Sequence, residues 1–222
     1  MAVTIDDIRA AADRLERKVA RTPTLRSDAL SALCGANIVL KLENLQLTGS
    51  FKPRGVFIKL SGLSEKEVKA GVVAASAGNH AQGVAYHARQ LGIPATIYMP
   101  EGTPFTKVGR TEALGARVVL AGAGLTEARE AARSQGEELG QVFVHPYDDE
   151  KIIAGQGTVG LELLIDAPDL DALVVPVGGG GLLAAVLEAA HVAAQLLFDP
   201  VGRLVEGGVR ILRLARALED QA

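Results

Sequence analysis

Three stretches of this chain place chemically useful residues in glycine-rich turns, each just ahead of a predicted helix. Ser76-Ala-Gly-Asn-His80 follows an apolar strand-like run at 71–76, so backbone N–H groups and polar side chains collect at a helix start, a ready anion site. Gly178, Gly179, Gly180 and Gly181 follow a second apolar run at 173–177; four residues without side chains let the backbone wrap a phosphate and donate several N–H groups to it. Thr48-Gly-Ser-Phe-Lys-Pro-Arg-Gly55 puts Lys52 inside a glycine-flanked turn. Each stretch has an ordinary structural alternative. A glycine run can be a tight connection, Asn79 can cap its helix, His80 can be a satisfied polar residue, and most lysines are solvated surface charges. A dinucleotide site would want G-x-G-x-x-G and an acidic residue at the end of the next strand. Asp199 has about that spacing but sits in an Asp-Pro turn.

The elements that must position these residues follow from periodicity and punctuation. Thr4-Ile-Asp-Asp reads as a capped helix start, with the helix running to about Ala20. A short helix follows Ser27, a strand covers 37–42, and a helix covers 52–61 with Pro53 in its first turn. Strands at 71–76, 95–99, 117–120, 142–144 and 173–177 then alternate with helices at 79–91, 105–114, 125–139, 150–165 and 182–197. Short apolar strands alternating with helices predict an α/β fold with parallel sheets, whose ligands bind at the carboxyl ends of strands. No internal repeat or low-complexity linker appears, so any domain division is discontinuous.

Composition narrows the function classes. The chain has 222 residues, 48% hydrophobic and 22% charged, an ordinary globular balance with room for a sizeable core. Cys34 is the one cysteine, which excludes an internal disulfide framework. A net charge of −3, 4% aromatics and no Trp give no basis for nucleic-acid binding. Charges near the N-terminus argue against a signal peptide. The most membrane-like stretch, 172–198, is interrupted by Pro176 and the glycine run and carries Glu188, so no membrane association is expected and a cytoplasmic location is. Glycine is 25 of the 222 residues, about 11% against an ordinary ~7%.

Taken together, four motifs in order make the chain resemble the pyridoxal-phosphate enzymes of the tryptophan synthase β-type fold, within them the threonine (serine) dehydratase group. They are Thr48-Gly-Ser-Phe-Lys-Pro-Arg-Gly55, Ala74-Ala-Ser-Ala-Gly-Asn-His-Ala-Gln-Gly-Val84, His145-Pro-Tyr-Asp-Asp149 with Ile153-Ala-Gly-Gln-Gly-Thr158, and Val175-Pro-Val-Gly-Gly-Gly-Gly-Leu182. Arg21-Thr-Pro also fits, and the match covers residues 5–188. The resemblance implies two open parallel-sheet domains: a larger, cofactor-anchoring one from 1–70 and 147–222, and a smaller, substrate-side one from 71–146. It implies that Lys52 carries pyridoxal 5'-phosphate as a Schiff base and later moves the Cα proton, with Phe51 beside the ring and Asn79 bonded to its 3-oxygen. Gly178, Gly179, Gly180, Gly181 and Leu182 would hold the phosphate. Ser76, Ala77, Gly78, Asn79 and His80 would form the loop that grips the substrate carboxylate. The implied reaction is dehydration and deamination of L-threonine or L-serine to 2-oxobutanoate or pyruvate and ammonia, with an amino acid as the small-molecule partner and a homo-oligomer as the expected assembly. Serine racemases resemble this sequence but carry a serine where Ala77 stands, so dehydration is favoured over racemisation.

Members of this group continue well past the glycine loop, and near their C-terminus a Ser-Gly-Gly-Asn segment supplies a serine to the pyridine nitrogen. Here the chain runs from Gly181 only to Ala222, without a serine, threonine or cysteine, and Glu206-Gly-Gly-Val209 echoes that segment with glutamate in the serine's place. The larger domain is therefore expected to be incomplete, with sheet edge and helix faces uncovered. No metal site and no isoleucine-sensing regulatory domain are expected. The second function class in view is a non-catalytic remnant that binds cofactor or a partner subunit.

Overall fold

Helix α1 (Ile5–Leu15) shows how local sequence sets the frame. Thr4 Oγ1 accepts from Asp7 N–H at 3.3 Å and the Asp7 carboxylate accepts from Thr4 N–H at 2.9 Å, a reciprocal cap. Ile8, Ala11 and Leu15 recur at helical spacing and are buried. The helix stops at Leu15 rather than near Ala20, where the apolar stripe gives way to Glu16, Arg17 and Lys18 and Arg17 turns to φ 59°. The computed structural model describes residues 3–196 and 210–214.

After α1, strands β1 (Thr24–Arg26) and β2 (Val39–Lys41) flank α2 (Asp28–Cys34) and pair antiparallel, an exception to the parallel pairing expected throughout. A 3-10 turn at Glu43–Leu45 leads to α3 (Lys52–Leu60), and α4 (Glu65–Ala70) follows with its own Ser64/Glu67 cap. The central sheet contains β3 (Val72–Ala75), β4 (Ala95–Met99), β5 (Arg117–Leu120) and β6 (Val142–Phe143), all parallel, in the order β5-β4-β3-β6. Between them run α5 (Asn79–Gln90), α6 (Phe105–Ala113) and α7 (Leu125–Leu139). Val72, Ala74, Ile97 and Met99 point to one face, onto Val56, Val84 and Ile152. Val73, Ala75 and Tyr98 point to the other, onto Ala128 and Ala132 of α7. Alternating side chains thus bury both faces, which is why these strands read as continuous apolar runs.

The strand order makes one point of this sheet special. From β3 the chain moves outward through β4 to β5, then returns to the opposite side of β3 as β6. The reversal opens a crevice beyond the carboxyl ends of β3 and β6, where open α/β sheets bind ligands. Ser76 follows β3 and His145 follows β6. Helix α8 (Glu150–Asp166) then packs against α1 and α3, β7 (Ala172–Pro176) pairs parallel with β8 (Arg210–Leu214), and α9 (Gly181–Leu196) crosses α8. Among the described residues, no helix is long and apolar enough to cross a membrane.

Candidate active site

Lys52 opens α3. Pro53 fits beside it because the first turn of a helix has N–H groups without intrahelical acceptors. The Lys52 ammonium donates to the Pro146 carbonyl at 2.7 Å and lies 5.2 Å from the centre of the Phe51 ring. Burial pushes its pKa down to about 8, because a charge removed from water is disfavoured. Lys52 therefore meets the segment that leaves β6 at the switch point.

The β3 loop meets the same segment. Ser76 N–H continues the ladder to Tyr98 carbonyl at 3.0 Å, and its hydroxyl accepts from Gly78 N–H at 3.2 Å. Gly78 is the cap of α5 and no side chain caps it, so Asn79, exposed in the first turn, does not play the capping part open to it from sequence. His80 is 3% exposed and its Nε2 lies 2.9 Å from Val144 carbonyl. A carbonyl only accepts, so Nε2 holds the proton and Nδ1 offers a lone pair. Burial drives this imidazole down to about 3, so it is neutral. Nδ1 has no partner among the described residues. The His80 side chain is thus turned to Val144, while its backbone N–H sits at the uncapped start of α5. Ala77 packs its methyl against the core beneath the loop.

The glycine run completes the set. A Cβ on Gly179 would lie 2.2 Å from the Tyr147 ring, and one on Gly181 would lie 2.5 Å from Tyr147 carbonyl oxygen. Glycine is required there by close approach. Gly180 has φ +90°, and neither it nor Gly178 would bring a Cβ within 4 Å of another group, so that side of the loop is open. Leu182, half-buried, follows at the start of α9. Pro146 holds Lys52 and Tyr147 supports the glycine loop, so two adjacent residues after β6 link the amine to the second helix start. His145 steadies them by accepting at Nδ1 from Asp148 N–H at 2.7 Å, and burial lowers its pKa.

These residues fit a cofactor with an aldehyde and a phosphate. A readily deprotonated, half-buried amine suits the aldehyde, and an open glycine cradle at a helix N-terminus suits the phosphate. The unpartnered, neutral His80 Nδ1 leaves an acceptor beside them. A profile of pyridoxal-phosphate dependent enzymes matches residues 15–198. The chain belongs to that family. L-threonine ammonia-lyase of Thermotoga maritima is 54% identical over 184 residues, which are 83% of this chain and 46% of the relative. Maize serine racemase superposes with a TM-score of 0.85 at 36% identity, over 96% of this chain and 61% of that one. The processed form of threonine deaminase isoform 2 from Solanum lycopersicum superposes at 0.83 with 36% identity, over 94% and 57%. The chain spans about half the length of the curated relatives it matches. The family's cofactor is pyridoxal phosphate, and the architecture is the mixed α/β, parallel-sheet arrangement of the tryptophan synthase β-type enzymes.

Glu206, the residue echoing a ring-nitrogen partner, lies outside the described residues. Among the described residues no group of His, Cys, Asp or Glu is arranged to hold a metal ion. The motif His145-Pro-Tyr-Asp-Asp149 contains Pro146 and Tyr147, but the sequence assigned neither a role. Pro146 acts through its carbonyl, which any residue has, and Tyr147 acts by filling space under Gly179. Their place directly after the switch-point strand was the available signal.

Proposed function

We propose that this chain, with pyridoxal phosphate, catalyses the β-elimination of L-threonine, and of L-serine by the same route. The products are 2-oxobutanoate or pyruvate, and ammonia. The observation that carries this reading is the half-buried Lys52 amine, held 2.7 Å from Pro146 carbonyl at the sheet's switch point. With a pKa of about 8, roughly a tenth of it is unprotonated at pH 7, far more than of an ordinary lysine. Such an amine can attack an aldehyde carbon and later take a proton from Cα at Nζ. When bound, the cofactor supplies the electron sink that lets the Cα proton leave.

The remaining residues bind and orient. Gly178, Gly179, Gly180, Gly181 and Leu182 would hold the phosphate through their backbone N–H groups at the start of α9. Phe51 would lie beside the cofactor ring, and Asn79 would meet its ring oxygen. Ser76, Ala77, Gly78, Asn79 and His80 offer the uncapped start of α5 to the substrate carboxylate. Ala77 has no proton to give to the opposite face of Cα, which favours elimination over inversion. Residues 71–146 form the substrate-side unit, and 1–70 with 147–222 the cofactor-side unit. A cytoplasmic location, in keeping with the exposed free thiol of Cys34, and a homo-oligomeric assembly belong to the same reading. The L-threonine ammonia-lyase relative supports the substrate class.

The test is an assay of 2-oxobutanoate from L-threonine, with cofactor, for the chain and for Lys52→Ala. Turnover falling by roughly 10²–10⁴-fold in the variant supports the reading, the range lost with a positioned proton-transfer group. Cofactor retention without turnover in the unaltered chain would make it a binding protein. D-serine formed from L-serine as fast as pyruvate would overturn the elimination.

A further inference from the structure

The first turn of α3 must be stiff to hold Lys52, and its backbone ties are modest: Arg54 N–H donates to Phe51 carbonyl at 3.1 Å and Gly55 N–H to Gln156 Oε1 at 3.3 Å. Phe51, at the cap, makes no side-chain capping bond, and Pro53 has no N–H. Lys52 N–H reaches Ser50 Oγ only at 3.4 Å. Helix ends fray unless such groups are tied down. The more extensive tie comes from behind. Arg54 lies two residues after Lys52, about 200° around the helix, so it projects away from the amine.

Arg54 is 0% exposed, and each guanidinium N–H has an acceptor. Nε and Nη2 donate to the Glu43 carboxylate at 2.9 and 2.8 Å. Nη1 and Nη2 donate to the Glu162 carboxylate at 2.7 and 3.0 Å. Nη1 also donates to Thr158 Oγ1 at 3.1 Å, and Thr158 in turn donates to Gly155 carbonyl at 2.7 Å. Two forked pairs therefore bind the hidden side of α3 to the 3-10 turn and to α8, in a planar geometry that a lysine cannot reproduce. Lys41 joins Glu162 at 2.6 Å and extends the anchor to β2. The helices leave no slack: a Cβ on Gly155 would lie 2.5 Å from Gly55 Cα.

We propose that Arg54 is a positioning residue, clamping the first turn of α3 through Glu43 and Glu162 so that Lys52 Nζ is held at Pro146 carbonyl inside the crevice. This inference rests on the reading of Lys52 as the reactive amine. Without the clamp the turn loosens, Nζ reaches water, and the burial that favours its neutral form is relieved.

The test measures Lys52 itself, in the full chain without cofactor. Competitive acetylation across pH, read by peptide mass spectrometry, gives the midpoint of each lysine's reactivity. Lys52 is expected near 8 in the unaltered chain. In Arg54→Lys its midpoint rises by about one unit, so labelling at pH 8 falls roughly fivefold, while the exposed lysines serve as unchanged internal references. An unchanged Lys52 profile in folded Arg54→Lys overturns the proposal and leaves Arg54 a purely structural residue. If circular dichroism shows that variant unfolded, Glu43→Gln and Thr158→Val each remove part of the clamp. A smaller rise supports the proposal, and no change in either overturns it. Failure of the cofactor reading would show separately, as loaded wild-type chain without cofactor on Lys52.

Discussion

β3 and β7 both end in a loop that feeds a helix, but they are supported in opposite ways. All four residues of β3 are buried, with parallel partners on both sides and apolar layers on both faces. β7 alternates between buried and exposed, and Val174 is 58% exposed. The Ser76 loop is fixed by the Tyr98 carbonyl and by His80 on Val144. The glycine loop rests on the Tyr147 ring, which comes from the β6 side. The well-buried platform thus positions both loops.

The largest expected contrast is in stability. Ile97→Ala, at a fully buried position of β4, should cost about 2–5 kcal/mol in denaturant unfolding. Val174→Ala on β7 should cost no more than about 0.5 kcal/mol, as surface changes do. Equal losses would remove the distinction between the two strands.

Within the glycine loop, Gly179→Ala and Gly178→Ala should separate folding from binding. The first drives a methyl group into the Tyr147 ring and should destabilise by about 1–3 kcal/mol. The second meets open space, so the melting temperature should stay put while cofactor affinity, followed by absorbance titration, falls as the methyl occupies the cradle.

Acid should act first on the platform. His80 and His87 are buried with pKa values pushed down by burial to about 3 and about 4, and His87 also hydrogen-bonds to Pro53 carbonyl. The unfolded chain binds protons on these rings below about 6.5 while the folded chain does not. Stability is therefore full above that pH and declines as pH falls from 6.5 towards 4, by at most about 1.4 kcal/mol per pH unit per imidazole. Unfolding measured between pH 7 and 5 should show the decline, and His87→Leu should flatten part of it.

A small effect is also expected at Gly83. A methyl there would lie 3.4–3.5 Å from the Lys52–Pro53 peptide, an ordinary contact, so Gly83→Ala should change stability by less than about 1 kcal/mol in a melt. Gly55→Ala, whose methyl would sit 2.5 Å from Ile152 carbonyl oxygen, should be much worse.

Much of this was legible where the signal is local. The runs at 95–99, 117–120 and 125–139 form the elements that their periodicity predicts. Helix α4 went unread although Ser64 and Glu67 spell a capping box, because six residues carry too little periodicity. The antiparallel pairing of β1 with β2 was hidden because three-residue strands are short and only the partner defines them. At the site, motifs exposed Lys52 and the two anion loops. They could not expose the Arg54 clamp, whose partners Glu43 and Glu162 stand 11 and 108 residues away.

The central claim is that Lys52 is the cofactor-bearing amine. Borohydride reduction of the chain loaded with pyridoxal phosphate, followed by digestion and mass spectrometry, locates the cofactor on the sequence. The account predicts the pyridoxyl group on Lys52; its appearance on Lys59, Lys151 or any other lysine, with Lys52 unmodified, would contradict it.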